Sequence, residues 1–159
     1  MQLIEYFIWS KTFSNNLLSK LALLSILSQP IFNIIRIKTY PSIIPFLIFL
    51  YIFIVIIWFI YITPINKINF ASIPSKNGHL SWKWLDQSMA SLFIWYIFLS
   101  SYWILENNYL SFFIISIFLF ISIALYKDTQ TWGSLWCWLC NVVSIYLIFK
   151  VFQKNICNV

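Results

Sequence analysis

The 22 residues from Ser42 to Thr63, SIIPFLIFLYIFIVIIWFIYIT, contain no charged side chain. As a helix rising 1.5 Å per residue, such a run is about as long as the hydrocarbon of a bilayer is thick, roughly 30 Å. The excess extends over the whole chain. Of 159 residues, 62% are hydrophobic, 21% aromatic and only 9% charged, whereas a soluble domain averages about 45–50% apolar and about 25% charged. A soluble globule of this size leaves roughly a third of its chain surface in water, and this composition cannot cover that surface with polar groups. Disorder is excluded too, because an open chain needs low hydrophobicity and high charge. The apolar runs have helical length and lack the ten-residue alternation of barrel strands. The chain therefore reads as an all-α integral membrane bundle, one multipass domain over 1–159. Its length admits at most about six crossings and no separate soluble domain.

Five crossing helices are expected, at 17–36, 42–63, 87–105, 109–126 and 134–152. Pro41 and Pro45 lie in or just before the first turn of the second, where a missing N–H costs little, and Pro64 closes it. The Glu106-Asn107-Asn108 turn makes the third and fourth an antiparallel hairpin. The first crossing contains Pro30, which frees the carbonyl of Ile26, a defect membrane helices tolerate when a neighbour satisfies it. Met1 to Trp9 forms a short helix, about 1–11, too short to cross alone. It is read either as an interfacial helix or as the end of a truncated sixth. Residues 64–86 form the longest loop, expected to lie on the membrane surface, with Trp82, Trp84 and also Trp132 as interfacial anchors.

The ten basic residues outnumber the four acidic ones, giving +6, yet they stand singly between apolar runs. That is the pattern of loop and snorkelling cations, not of a surface that tracks phosphates, so nucleic acid is not an expected partner. The expected partners are the lipid bilayer and other membrane proteins or further copies of the chain. Lys11, Lys67, Lys76, Lys83 and Lys127 fall on one side and Arg36, Lys38, Lys150 and Lys154 on the other, which inclines the 64–86 loop toward the cytoplasm.

A polar side chain in hydrocarbon is costly, so each one asks for a reason. Gln2, Glu5 and Trp9 share a helical face, which turns inward if Met1 to Trp9 ends a membrane helix and reaches water if it is interfacial. Gln29, beside Pro30, suits a bond to a freed carbonyl or to a neighbouring helix. Asn33 and Asn141 complete the intramembrane polar set, with Asn141 expected to face inward beside Cys137 and Trp136 expected at the lipid edge. Ser134 is read as the cap of the last helix. His79 and Asp86 would share a face if their stretch were helical, and with Glu5 they are the candidates for acid–base chemistry. An ordinary interfacial histidine is the rival reading. Cys137 and Cys140 form a C-x-x-C, but the ligand set is too small for structural zinc and the two thiols read as packing residues. With Gly78 and Gly133 the only glycines, phosphate loops are excluded; no cofactor and no metal are expected.

Four strings taken together, MQLIEYFIW at Met1, LALLSILSQP at Leu21, HLSWKWLD at His79 and TWGSLWCWLCN at Thr131, resemble those of a family of uncharacterised multipass membrane proteins. The family is encoded by nucleocytoplasmic large DNA viruses, with similar sequences in algae and bacteria, and is defined only as a domain of unknown function. The resemblance spans nearly the whole chain. It implies that Gln2, Glu5 and Trp9 end a membrane helix starting further upstream, and it implies a viral or algal source, which suits the AT-rich bias to Ile, Phe, Lys and Asn. It supplies no mechanism. Three functions stay open: a structural or accessory component of a viral or host membrane, a small channel or transporter, and a membrane-embedded lipid-modifying enzyme. No complete catalytic motif is present.

Overall fold

The computed structural model describes residues 2–62, 70–85 and 88–142. Six helices account for most of these. They are α1 (Gln2–Trp9), α2 (Asn15–Ile35), α3 (Ile44–Ile57), α4 (Met89–Leu105), α5 (Tyr109–Tyr126) and α6, helical over residues 132–142. A single 3-10 turn, Pro41–Ile43, leads into α3, and a wider turn, Trp58–Ile62, continues it. Asn15–Ile35, Pro41–Ile60 and Tyr109–Tyr126 are long and apolar enough to cross a membrane, while α4 is apolar but one residue shorter than the last of them.

The burial pattern shows which solvent these helices suit. In α3 only Tyr51 is buried, and Phe46, Phe49, Ile52, Phe53 and Ile56 all face outward. In α5 the outward stripe is Leu110, Phe113, Ile114, Ile117, Phe120, Ile121 and Leu125. Apolar patches on this scale are not tolerated in water, whereas lipid removes the penalty. The inner face of α5 is instead Ser116, Leu119, Ser122 and Ile123. Ser122 returns its hydroxyl to the Phe118 carbonyl at 2.7 Å, and Tyr96 of α4 meets Ser116 through their hydroxyls. Small hydroxylated residues allow close approach where no hydrophobic force drives helices together.

α2 is the central element, packed against α1, α3 and α4. It runs through Pro30 without breaking, because the carbonyl that Pro30 orphans is taken from outside: Trp95 Nε1 of α4 donates to Ile26 O at 3.2 Å. Tyr51 of α3 donates to the next carbonyl, Leu27 O, at 2.7 Å. The proline thus creates the acceptor that holds α4 against α2. Trp95→Phe should leave a buried carbonyl unpaired and cost about 1–3 kcal/mol. The same change in a Pro30→Ala background should cost markedly less, because residue 30 then supplies the N–H within the helix. Unfolding in detergent of the four proteins of that cycle checks it.

The connections follow from local chemistry. Ser88 caps α4 by accepting the Ser91 N–H at 3.2 Å, and Asn108 caps α5 through the Ser111 N–H at 3.3 Å. Asn107, with φ of 54°, takes the left-handed position that ends α4, which asparagine tolerates better than most residues. At the same end of the bundle Glu106 accepts the backbone N–H groups of Lys38 and Thr39 at 2.6 and 2.8 Å, and Arg36 lies over the Tyr102 ring at 4.5 Å. The α2–α3 loop is thereby pinned to the α4–α5 turn. The N–H groups of Thr39 and then Lys38 hold the Glu106 carboxyl below its usual range. A depressed carboxylate stabilises the fold fully above the pKa of free glutamate, about 4.3, and loses that contribution as pH falls through the folded value. Amide exchange at Lys38 and Thr39 should therefore accelerate in acid beyond its intrinsic pH dependence, and Glu106→Gln should abolish the excess.

Over its described part the 64–86 stretch has regular structure of its own. Residues 70–85 fold back as a β-hairpin, β1 (Ile73–Pro74) antiparallel to β2 (Leu80–Ser81), followed by a 3-10 turn at Lys83–Leu85. Gly78, at φ +79°, makes the turn a conformation that residues with a Cβ adopt rarely. The hairpin docks on the bundle through polar contacts. Asn15 of α2 donates to Ser72 O at 2.8 Å and accepts the Ser72 hydroxyl at 2.8 Å, Asn77 donates to Thr131 Oγ1 at 2.7 Å, and the Trp82 N–H reaches Gln130 O at 3.0 Å.

Two helix limits differ from expectation. α1 stops at Trp9 instead of about residue 11 because Lys11 turns to φ 54°. α6 starts at residue 132, not 134. Thr131, whose carbonyl accepts the N–H groups of Ser134 and Leu135 at 3.0 and 3.4 Å, stands in the capping position, which places Ser134 within the first turn of the helix and not ahead of it. The far end of the last predicted crossing, along with Pro64, lies outside the described residues.

Candidate functional site

Three elements distant in sequence converge on one hydroxyl. α1 is only eight residues long, too short to hold helical structure alone, and it carries Glu5 in its first turn. β2 leads directly to Trp82. α6 places Ser134 in its own first turn, beside Gly133. Ser134 Oγ accepts the Trp82 indole N–H at 3.0 Å and donates its own proton to Glu5 Oε1. Ser134 and Trp82 are fully enclosed, and Glu5 keeps 6% of its surface exposed. The polar atoms of all three side chains are thereby taken out of water. A polar group in such surroundings is tolerated only when bonded, and here each group bonds the next.

Around this centre sits a wall of indoles. Trp84 packs edge-on to Trp82, ring centroids 5.6 Å apart, and Trp132 packs against Trp95 of α4 at 6.4 Å. Trp82, Trp84 and Trp132 are 0, 3 and 1% exposed. They do not present their rings to lipid headgroups as interfacial anchors would. The tryptophan preference for interfaces reflects an apolar ring carrying one N–H, and for Trp82 the interior meets that need through Ser134.

The other sequence-predicted polar residues have separate partners. Gln29 Oε1 accepts the Trp136 indole N–H at 3.3 Å, joining α2 to α6. Asn33 Nδ2, in the last turn of α2, donates to Leu99 O of α4 at 2.9 Å. Asn141 is exposed on α6, while Trp136 and Cys137 are buried and Trp138 is exposed. The expected inward pair of Cys137 with Asn141 is therefore half corrected: Trp136 takes the inward place because Gln29 supplies its acceptor. His79 is half-buried at the hairpin turn, its backbone N–H held by Asn77 Oδ1 at 3.2 Å. Asp86 and the side chains of Met1 and Gln2 lie outside the described residues. Cys137 is buried and Cys140 half-buried, and among the described residues no three His, Cys, Asp or Glu side chains gather as a metal site would require.

Two participants escaped the sequence reading. Ser134 is read from the sequence only as a cap, and Asn15, which holds the hairpin, lies two residues ahead of the expected start of the first crossing. A signal existed for each: a serine inside a tryptophan-rich apolar string needs an acceptor, and an asparagine at the foot of a span needs a partner for both ends of its amide. No protein-family model, curated protein or solved structure matches the chain.

Proposed function

We propose that the chain is a multipass integral membrane protein with five crossings, at 17–36, 42–63, 87–105, 109–126 and 134–152, serving as a structural or accessory component of a viral or host-cell membrane. The observation that carries this is the closed polar centre, in which the one buried carboxyl group among the described residues ties α1, the hairpin and α6 together. Such a centre specifies how helices assemble. Gln29 and Asn33 likewise spend their amides on helix packing, the first on the Trp136 indole and the second on the Leu99 carbonyl, which supports the structural role over a conduction path. Viral or host origin rests on the resemblance of the four sequence strings. Its partners in this role are bilayer lipids and other membrane proteins or copies of itself.

Proteoliposomes test the role directly. Potassium and chloride flux should not exceed that of protein-free vesicles. Flux that Glu5→Gln removes would establish the channel instead, and lipid turnover lost on His79→Ala would establish an enzyme.

A further inference from the structure

Tyr51 of α3 and Phe98 of α4 meet with ring centroids 5.2 Å apart. From that contact toward the C-terminal end of α3 and the N-terminal end of α4, the two helices leave a crevice of about 240 Å³ backed by α2. Its walls are apolar apart from Ser91 of α4: Leu27 of α2, Val55 of α3 and Trp58 just beyond it, Leu92 and Trp95 of α4, with Trp132 of α6 closing one side. An enclosed apolar cavity of about 150 Å³ holds a benzene ring, so in proportion this one holds roughly ten carbon atoms. Ile94 both lines the crevice and is exposed on the outer surface of α4, which makes the space continuous with the apolar exterior of α3 and α4.

Two of the lining residues carry an unmet need. The indole nitrogens of Trp58 and Trp132 are buried and have no hydrogen-bond partner among the described residues. Buried donors left unpaired are costly and uncommon in native proteins. Trp58 opens the turn that follows α3, and Trp132 opens α6 against Trp95; tryptophan near the ends of apolar helices is the usual neighbour of lipid headgroups. From Trp58 to Tyr51 is about 10 Å along the helix axis. An occupant must therefore be an apolar chain of moderate length, entering from the side, with an acceptor oxygen at its outer end.

We propose that this crevice binds the first part of one acyl chain of a bilayer phospholipid, with the ester carbonyl oxygen accepting from Trp58 or Trp132. The site would make lipid a component of the α2–α3–α4 packing. It rests on the bundle's being embedded in a bilayer, and the two ideas fail differently: a chain that does not partition into vesicles contradicts embedding, whereas one that partitions but holds no lipid contradicts the site.

The full chain, reconstituted in dioleoyl phosphatidylcholine, is extracted into detergent until surrounding lipid is stripped, and retained lipid is counted by native mass spectrometry. One phosphatidylcholine per chain is expected. Val55→Trp, which fills the crevice, should abolish retention; Trp58→Phe and Trp132→Phe together should weaken it about tenfold; Ile117→Trp on the outer face of α5 should leave it unchanged. A phosphatidylcholine bearing a diazirine on its acyl chain, applied to the unaltered protein, should label α3 and α4 within 51–58 and 91–95 after stripping, so the site is tested even where a variant fails to fold. No retained lipid, equal retention by Val55→Trp, retention of oleic acid in place of the phospholipid, or labelling confined to α5 overturns the proposal.

Discussion

Glu5→Ala is expected to release α1 from the bundle. The substitution removes the acceptor of the Ser134 hydroxyl and leaves an enclosed void where the side chain had been, a combined loss of about 2–4 kcal/mol. Because an eight-residue helix cannot persist without tertiary contacts, the loss should appear locally before it appears globally. Proteolysis within residues 2–14 should speed up while the α2–α5 core still unfolds cooperatively in detergent. Glu5→Gln retains a carbonyl oxygen at the same reach and should cost less than about 1 kcal/mol. The contrast between the two variants separates a hydrogen-bonding role from one that requires a charge.

Trp82 should be the most sensitive position in the hairpin. Trp82→Ala empties a fully enclosed site and should cost about 3–5 kcal/mol, with the hairpin undocking from Gln130 and Ser134. Trp82→Phe keeps most of the volume and loses only the indole N–H to Ser134, a loss of about 1 kcal/mol. Thermal unfolding in detergent ranks the two. If Trp82 were a lipid-facing anchor, both changes would be nearly neutral to folding and would act only on membrane depth.

The helices were legible because an uncharged run such as Ser42–Thr63 admits few other structures, and because the 106–108 turn leaves α4 and α5 no choice but to pair. The kink at Pro30 could also be read, including the need of the Ile26 carbonyl for a partner. What could not be read was the donor, since Trp95 lies 69 residues away and nothing local marks it. The hairpin was missed for a different reason. Its strands are two residues each, too short to show an alternating pattern, although Asn77-Gly78 is a strong turn signal. Tryptophans pose a third difficulty: their composition is the same whether the N–H meets a headgroup or a buried serine. Trp136 turns inward because Gln29, on another helix, supplies its acceptor, which a comparison of each residue against lipid alone does not include.

The central claim is that Glu5 and Ser134 act as one unit joining α1 to α6 beneath the hairpin. A double-mutant cycle of Glu5→Ala and Ser134→Ala, measured by unfolding of the full chain in detergent, tests it most directly. Partners in one network couple by about 0.5–3 kcal/mol, whereas distant sites add within about 0.5 kcal/mol. Ser134→Ala should cost at least about 1 kcal/mol less once Glu5 is alanine. Additive losses would contradict it.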